Sequence, residues 1–193
     1  NGGFLPFEVR GPIRGGEVAV DGSVSSQFIT GLLLALPRAE RDTTLYVQRA
    51  VSTPYLDMTL ATAARFGVEI SQRDYEEFYI PGGQRYEPAD FAIEGDWSAA
   101  AMLLVMGATA GEITVRNVSM LSKQADTAVC TALARTGAAV IHEGQAVTAA
   151  HRPLHAFEFD ATHCPDLFPA LAALAAAAEG VSTIRGTSRL EYK

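Results

Sequence analysis

The hydrophobic pattern of the chain switches between a period of two and broad apolar runs, and the switches come in a repeating order. Gly16-Glu17-Val18-Ala19-Val20 reads as a strand running into the turn signal Asp21-Gly22. Phe28 to Leu36 is apolar almost throughout and is closed by Pro37, which predicts a buried helix over about 25–36. A strand at 43–47, a helix from Pro54 to about Phe66, and strands at 68–70 and 78–80 complete the order βαβαββ. That order returns with a strand at 90–93, a helix from Trp97 to about Thr109 and a strand at 113–115. A helix from about Gln124 to Arg135 and strands at 139–141 and 146–148 complete it. A third unit begins with a strand at 156–159, a helix over about 165–178 and a strand at 182–185. Asp21 and Asp96 mark the first strand-to-helix turn of the first two units, 96 − 21 = 75 positions apart, and Asp160 takes that place in the third. The predicted fold class is α/β (α+β), built from repeated βαβαββ units.

The candidate chemistry sits at the helix starts. Ser25, Ser26 and Gln27 fall in the first turn of the first predicted helix, where unpaired backbone N–H groups and the positive end of the dipole favour an anion. A serine there is also the ordinary N-cap, and for the Ser-Ser-Gln cluster alone capping is the commoner reading. Ser52-Thr53-Pro54-Tyr55 opens the second helix, with Pro54 suited to its first turn and Ser52 or Thr53 to its cap. If the first two strands run parallel, both helix starts emerge at one edge of the sheet, and a phosphorylated polyol becomes a reasonable ligand. His163-Cys164-Pro165-Asp166 opens a third helix, in which Asp166 is either a carboxylate complementing the dipole or a general base. Adjacent His163 and Cys164 do not make a converging pair. His142, His151 and His155 share no metal-ligand spacing and are expected at the surface.

Composition narrows the classes. With 193 residues, 48% of them hydrophobic, the chain can bury a substantial core. A net charge of −7 with no Lys/Arg cluster argues against a nucleic-acid surface. Cys130 and Cys164 stand far apart in apolar helical contexts, which predicts buried thiols, no disulfide and a reducing, cytoplasmic compartment. The longest apolar run, Leu167 to Ala178, contains Pro169 and is too short to cross a bilayer, so no membrane partner is expected. No basic stretch followed by an apolar one opens the chain, which predicts no secretory signal. A start without methionine and a stop just after a strand-like segment predict a piece of a longer protein.

The ordered set of motifs resembles the 5-enolpyruvylshikimate-3-phosphate (EPSP) synthase family over nearly the whole chain. It consists of Asp21-Gly22-Ser23-Val24-Ser25-Ser26-Gln27-Phe28, Ser52-Thr53-Pro54-Tyr55-Leu56-Asp57-Met58-Thr59, Phe66-Gly67-Val68, Glu94-Gly95-Asp96-Trp97-Ser98-Ala99-Ala100, and Pro165-Asp166 before the Ala-rich helix. The resemblance implies the enolpyruvyl transferase fold, an inverse α/β barrel-like arrangement of two lobes, each of three βαβαββ units. Both lobes are incomplete here, with residues 1–94 in the shikimate-3-phosphate-binding lobe and 95–193 in the second.

By position, Ser25, Ser26 and Ser52 resemble phosphate ligands of shikimate-3-phosphate, Gln27 the residue touching both substrates, and Tyr55 a neighbour of the shikimate ring. Asp166 is similar to the aspartate implicated in deprotonating the 5-hydroxyl, and Lys193 to the lysine opening a Lys-Glu-Ser/Thr-x-Arg motif. Arg189 stands where some members carry asparagine. The implied reaction is enolpyruvyl transfer from phosphoenolpyruvate to shikimate-3-phosphate, in aromatic amino-acid biosynthesis, by a monomer with no metal or organic cofactor. Most of the family's phosphoenolpyruvate-binding cations would lie outside this segment, so it is expected to be inactive alone. The alternatives are a UDP-N-acetylglucosamine enolpyruvyl transferase, whose reactive cysteine sits on a flexible loop, and a non-catalytic βαβαββ binding module.

Overall fold

The computed structural model describes Pro6 and residues 8–192. The chain divides into two compact units: unit 1 holds the residues up to Ala50 together with Thr59–Ala89, and unit 2 holds Val51–Met58 and the residues from Asp90 onward.

In unit 1, strand β1 (Gly16–Asp21) pairs in parallel with β2 (Thr43–Gln48), and helix α1 (Ser26–Ala35) lies in the crossover between them. β2 continues antiparallel to β4 (Glu77–Ile80), which pairs with β3 (Ser71–Arg73), giving the order β1-β2-β4-β3. Alternation along β2 and β4 puts Leu45, Val47, Phe78 and Ile80 on one face, where they are buried, as are Ile29 and Leu33 of α1. Helix α2 (Thr53–Arg65) contributes buried Ala63, and the division between the units falls after Met58, within this helix. The turn from β1 into α1 depends on Gly22. Its N–H donates to the Gln48 carbonyl at 2.7 Å, and a Cβ would stand 2.9 Å from Val47 Cγ1 and 3.1 Å from Ala50 Cα.

Unit 2 is built on β5 (Glu112–Arg116), β7 (Ala146–Ala150) and β6 (Ala139–Glu143), antiparallel in the order β5-β7-β6, with a separate parallel pair of β8 (Glu158–Asp160) and β9 (Thr183–Arg185). Helices α3 (Trp97–Ala110), α4 (Val129–Thr136) and α5 (Phe168–Ala177) share one core that includes Trp97, Leu104, Leu133, Leu171 and Leu174, all fully buried. At Gly107 the α3 backbone meets the sheet so closely that a Cβ would fall 2.5 Å from the Ala149 carbonyl oxygen and 2.8 Å from the Ile113 nitrogen. Here the missing side chain permits close helix–sheet packing, which outweighs the usual helix cost of glycine, about 1 kcal/mol.

Four sequence expectations are corrected. Residues 90–93 form no strand: Phe91 and Ile93 are exposed, so their alternation buries nothing, and the pattern alone does not make a strand. The strand expected at 68–70 forms instead at 71–73. Asp74 and Tyr75, with φ of 53° and 58°, form a tight hairpin turn that pairs 71–73 with 77–79. The Gln84 side chain takes the place of a strand for Glu69, accepting from its N–H at 2.7 Å and donating to its carbonyl at 2.9 Å.

The helices expected from about 124 and 165 begin as 3-10 turns, Ala125–Ala128 and Pro165–Leu167, before α4 and α5. The repeat spacing also shifts. Gly95 donates to the Asn117 carbonyl at 2.6 Å as Gly22 does to Gln48, and a Cβ on Gly95 would lie 2.7 Å from that carbonyl, so the matching turns are 95 − 22 = 73 residues apart rather than 75. The counterpart of Asp21 is Glu94. Asp160 does match Asp21, because Ala161 N–H donates to the Arg185 carbonyl at the end of β9 as Gly22 N–H does to Gln48.

Candidate active site

The unit 1 candidates lie at the start of α1. Ser25 is its N-cap, with extended backbone and an Oγ that accepts from Gln27 N–H at 3.2 Å. Ser26 opens the helix and is buried, while Gln27 is exposed. Asp21 closes the preceding turn. Its bonds from Ser23, and then the Arg49 guanidinium, hold its carboxyl below the usual aspartate range. The turn thus presents hydroxyl, amide and helix-dipole donors together at the end of β1, ahead of a helix with no acidic residue in its first turn.

The unit 2 candidates are Ser52, Tyr55 and Asp166. Ser52 is buried with a left-handed backbone, φ 52°, and its carbonyl accepts from Tyr55 N–H at 3.1 Å. This conformation is uncommon for a residue with a side chain, and such strain tends to cluster at functional sites. Tyr55 is half-buried and its hydroxyl donates to Asp126 Oδ2 at 3.4 Å. Burial, then the charges of Asp126 and Asp166, push the phenol above its ordinary value, so it remains a donor throughout the neutral range. Asp166 sits half-buried in the 3-10 turn that leads into α5. Its charge acts on both Tyr55 and Asp126, so the tertiary structure brings Tyr55 and Asp166, 166 − 55 = 111 positions apart, into one electrostatic neighbourhood. Lys193 lies outside the described residues.

Asp126 and the Ser98 hydroxyl that bonds it were absent from the sequence candidates. Asp126 lies in the 3-10 turn before α4, is 1% exposed, and accepts a short bond from Ser98 Oγ on the first turn of α3. Gln124 braces the same junction: its Oε1 accepts from Trp97 N–H at 2.8 Å, and its Nε2 donates to the Gly95 carbonyl at 2.9 Å and Glu94 Oε1 at 3.0 Å. The available signal was an Asp two residues after Gln124 at a predicted helix start, where an acid complements the dipole, but nothing in the local pattern marks it as buried.

The remaining sequence candidates carry no site. His142, His151, His155 and His163 are exposed, and among the described residues no group of His, Cys, Asp or Glu is arranged to hold a metal ion. Cys130 and Cys164 are free and buried. Burial pushes the Cys130 thiol up to about 11, and burial followed by the Asp126, Asp160 and Asp166 charges pushes that of Cys164 up to about 12. Such thiols are poor nucleophiles at neutral pH. Among the described residues no helix is long and apolar enough to cross a membrane.

Known proteins share this organisation. The profile of the family described as EPSP synthase (3-phosphoshikimate 1-carboxyvinyltransferase) matches residues 1–193. A 3-phosphoshikimate 1-carboxyvinyltransferase of Methanocorpusculum labreanum is 38% identical over 192 residues, 99% of this chain and 45% of the relative. One from Photobacterium profundum is 41% identical over 197 residues, 100% of this chain and 46% of the relative. The chain therefore spans about half the length of the curated relatives it matches. The solved structure of EPSP synthase from Acinetobacter baumannii superposes with a TM-score of 0.71 at 23% identity, over 92% of this chain and 42% of that one, which establishes a shared, partial enolpyruvyl transferase fold of mixed α/β type.

Proposed function

The chain belongs to the EPSP synthase family, and from that membership we propose that the full-length protein transfers the enolpyruvyl group of phosphoenolpyruvate to the 5-hydroxyl of shikimate-3-phosphate. Phosphoenolpyruvate is protonated at its methylene carbon as the 5-hydroxyl oxygen attacks C2. The tetrahedral adduct then loses a proton from the new methyl group and expels inorganic phosphate, which restores the double bond. The reaction balances without a metal or organic cofactor.

Ser25, Ser26 and Ser52 are the proposed ligands of the shikimate phosphate, and Gln27 the residue that touches both substrates. Asp166 takes the hydroxyl proton, Tyr55 lies beside the shikimate ring, and Lys193 supplies the ammonium that exchanges protons with the adduct. Residues 1–94 are assigned to one lobe and 95–193 to the other; one boundary between the compact units, at Ala89 and Asp90, lies near that division, while Val51–Met58 group with the later residues. The two buried free thiols support a cytoplasmic setting, and the resemblance supports a monomer.

The observation that carries this reading is the family match along the whole chain. The Ser25-Ser26-Gln27-Phe28 and Ser52-Thr53-Pro54-Tyr55 motifs favour this reading over the UDP-sugar alternative. Phosphate release by the full-length protein tests the reading: turnover is expected with phosphoenolpyruvate and shikimate-3-phosphate together and not with UDP-N-acetylglucosamine as acceptor. The opposite preference, or no release, would overturn it. Residues 1–193 alone are expected to show no turnover in the same assay.

A further inference from the structure

Asp126 has no part in the reaction just described, yet three segments of unit 2 meet at its carboxyl. Oδ2 accepts from Ser98 at the start of α3 and from Tyr55 at 3.4 Å, while Oδ1 is buried without a hydrogen-bond partner. The charged groups acting on it, Asp166 and Asp96, are of like sign, and Cys164 lies within reach of its field. No Lys or Arg forms an ion pair with it among the described residues. A carboxyl in such surroundings costs stability, because a buried charge without a counter-ion is poorly compensated and a buried oxygen without a donor forfeits its hydration. An apolar side chain of similar size would fill the space without that penalty. The residue therefore makes most sense through what it orients.

We propose that Asp126 is a positioning residue that sets the direction of the Tyr55 hydroxyl and ties it, through Ser98, to the start of α3 beside Asp166. A phenol whose proton is committed to Asp126 Oδ2 acts toward a hydroxyl of the polyol substrate as an acceptor rather than a donor. The 3.4 Å separation suits a bond that tightens on ligand binding, as catalytic hydrogen bonds commonly do. This inference rests on the enolpyruvyl-transfer reading and adds to it a residue with no substrate contact of its own.

The test uses the full-length protein and steady-state kinetics with shikimate-3-phosphate varied. Asp126→Leu removes the acceptor without opening a large cavity and is expected to raise KM about tenfold, whereas Asp126→Asn, which keeps an acceptor oxygen, should stay within about threefold of wild type. The double variant with Tyr55→Phe should have a KM no worse than Asp126→Leu alone, because both changes remove one interaction; a merely structural residue would give additive effects. Should Asp126→Leu fail to fold, Asp126→Asn carries the test. A KM within about threefold of wild type with the full Tyr55→Phe effect superimposed supports positioning, and a tenfold rise overturns it. Wild-type turnover combined with an unchanged KM in Asp126→Leu sinks this inference alone, and absence of wild-type turnover sinks the activity reading and this inference with it.

Discussion

Ser25 of unit 1 and Ser98 of unit 2 each stand three residues after a turn glycine, Gly22 and Gly95, and so 98 − 25 = 73 positions apart; Ser25 is the N-cap of α1, whereas Asp96 caps α3 and Ser98 lies in its first turn, and the two hydroxyls are used in opposite ways. Ser25 is half-exposed, caps its own helix through Gln27 N–H, and is followed by two more hydrogen-bonding side chains, Ser26 and Gln27. Ser98 is followed by Ala99 and Ala100, and its hydroxyl is spent inward on Asp126. One copy of the turn keeps Ser25 and Gln27 near the surface, as an anion site needs. The other closes on an acid of its own chain, and that closure helps hold Tyr55 in the neighbourhood of Asp166. A duplicated turn is therefore a scaffold rather than a function: the residues just after the cap, and whatever the next helix start sends toward it, decide between binding a ligand and bracing a site.

The proposed function puts the proton-transfer chemistry in unit 2, and the largest expected effect tests that proposal. In the full-length protein, Asp166→Ala should lower kcat about a hundredfold or more, as loss of a positioned proton-transfer group does. Ser26→Ala should chiefly raise KM for shikimate-3-phosphate. Near-normal kcat in a folded Asp166→Ala protein would reduce Asp166 to a dipole-complementing acid at a helix start.

The two serines can then be set against each other in stability. Ser98→Ala leaves the buried Asp126 carboxyl without its stronger donor and should cost about 1–3 kcal/mol. Ser25→Ala removes a half-exposed cap and should cost about 1 kcal/mol. Denaturant titration of both variants decides the order, and a Ser25 variant losing more than the Ser98 variant would reverse the proposed contrast between a braced turn and an open one.

The smallest effect sharpens the contrast through pH. Burial, together with the Asp166 and Asp96 charges, raises Asp126 above the ordinary aspartate value of 3.8, against the opposing bonds from Ser98 and Tyr55. The folded state thus holds this proton more tightly than the unfolded state, so the contribution of Asp126 to stability is greatest below the ordinary value and is lost as pH rises through the raised one. The carboxamide introduced by Asp126→Asn does not titrate. The melting temperature of that variant relative to wild type should therefore increase from about pH 4 upward and level off once the wild-type carboxyl is ionised. A difference that stays flat across that range would mean that the carboxyl is not strained by its surroundings.

Much of this molecule is decided by short-range grammar that a sequence displays directly. The strands and helices lie close to where alternation, apolar runs, Pro37 and the serine-rich starts put them, because period and capping are properties of neighbouring residues. The motifs at Ser25-Ser26-Gln27, Ser52 to Tyr55 and Pro165-Asp166 are contiguous, and so the family was legible as well. The strand expected at 90–93 failed for a different reason. Alternation makes a strand where it gives a sheet one face to bury, and here Phe91 and Ile93 are both exposed. Repeat spacing read from acidic residues missed by two positions, since the turns are matched by glycines lying against the end of the next strand, a contact between segments far apart in sequence. Asp126 was hidden for the same reason. Its local sequence is that of an ordinary helix start, and what distinguishes it is burial together with bonds to Ser98 and Tyr55, 28 and 71 residues away. Local preference and pattern are carried by the chain itself, whereas desolvation of a carboxyl and the choice of its hydrogen-bond donors arise only when distant segments exclude water from the same place.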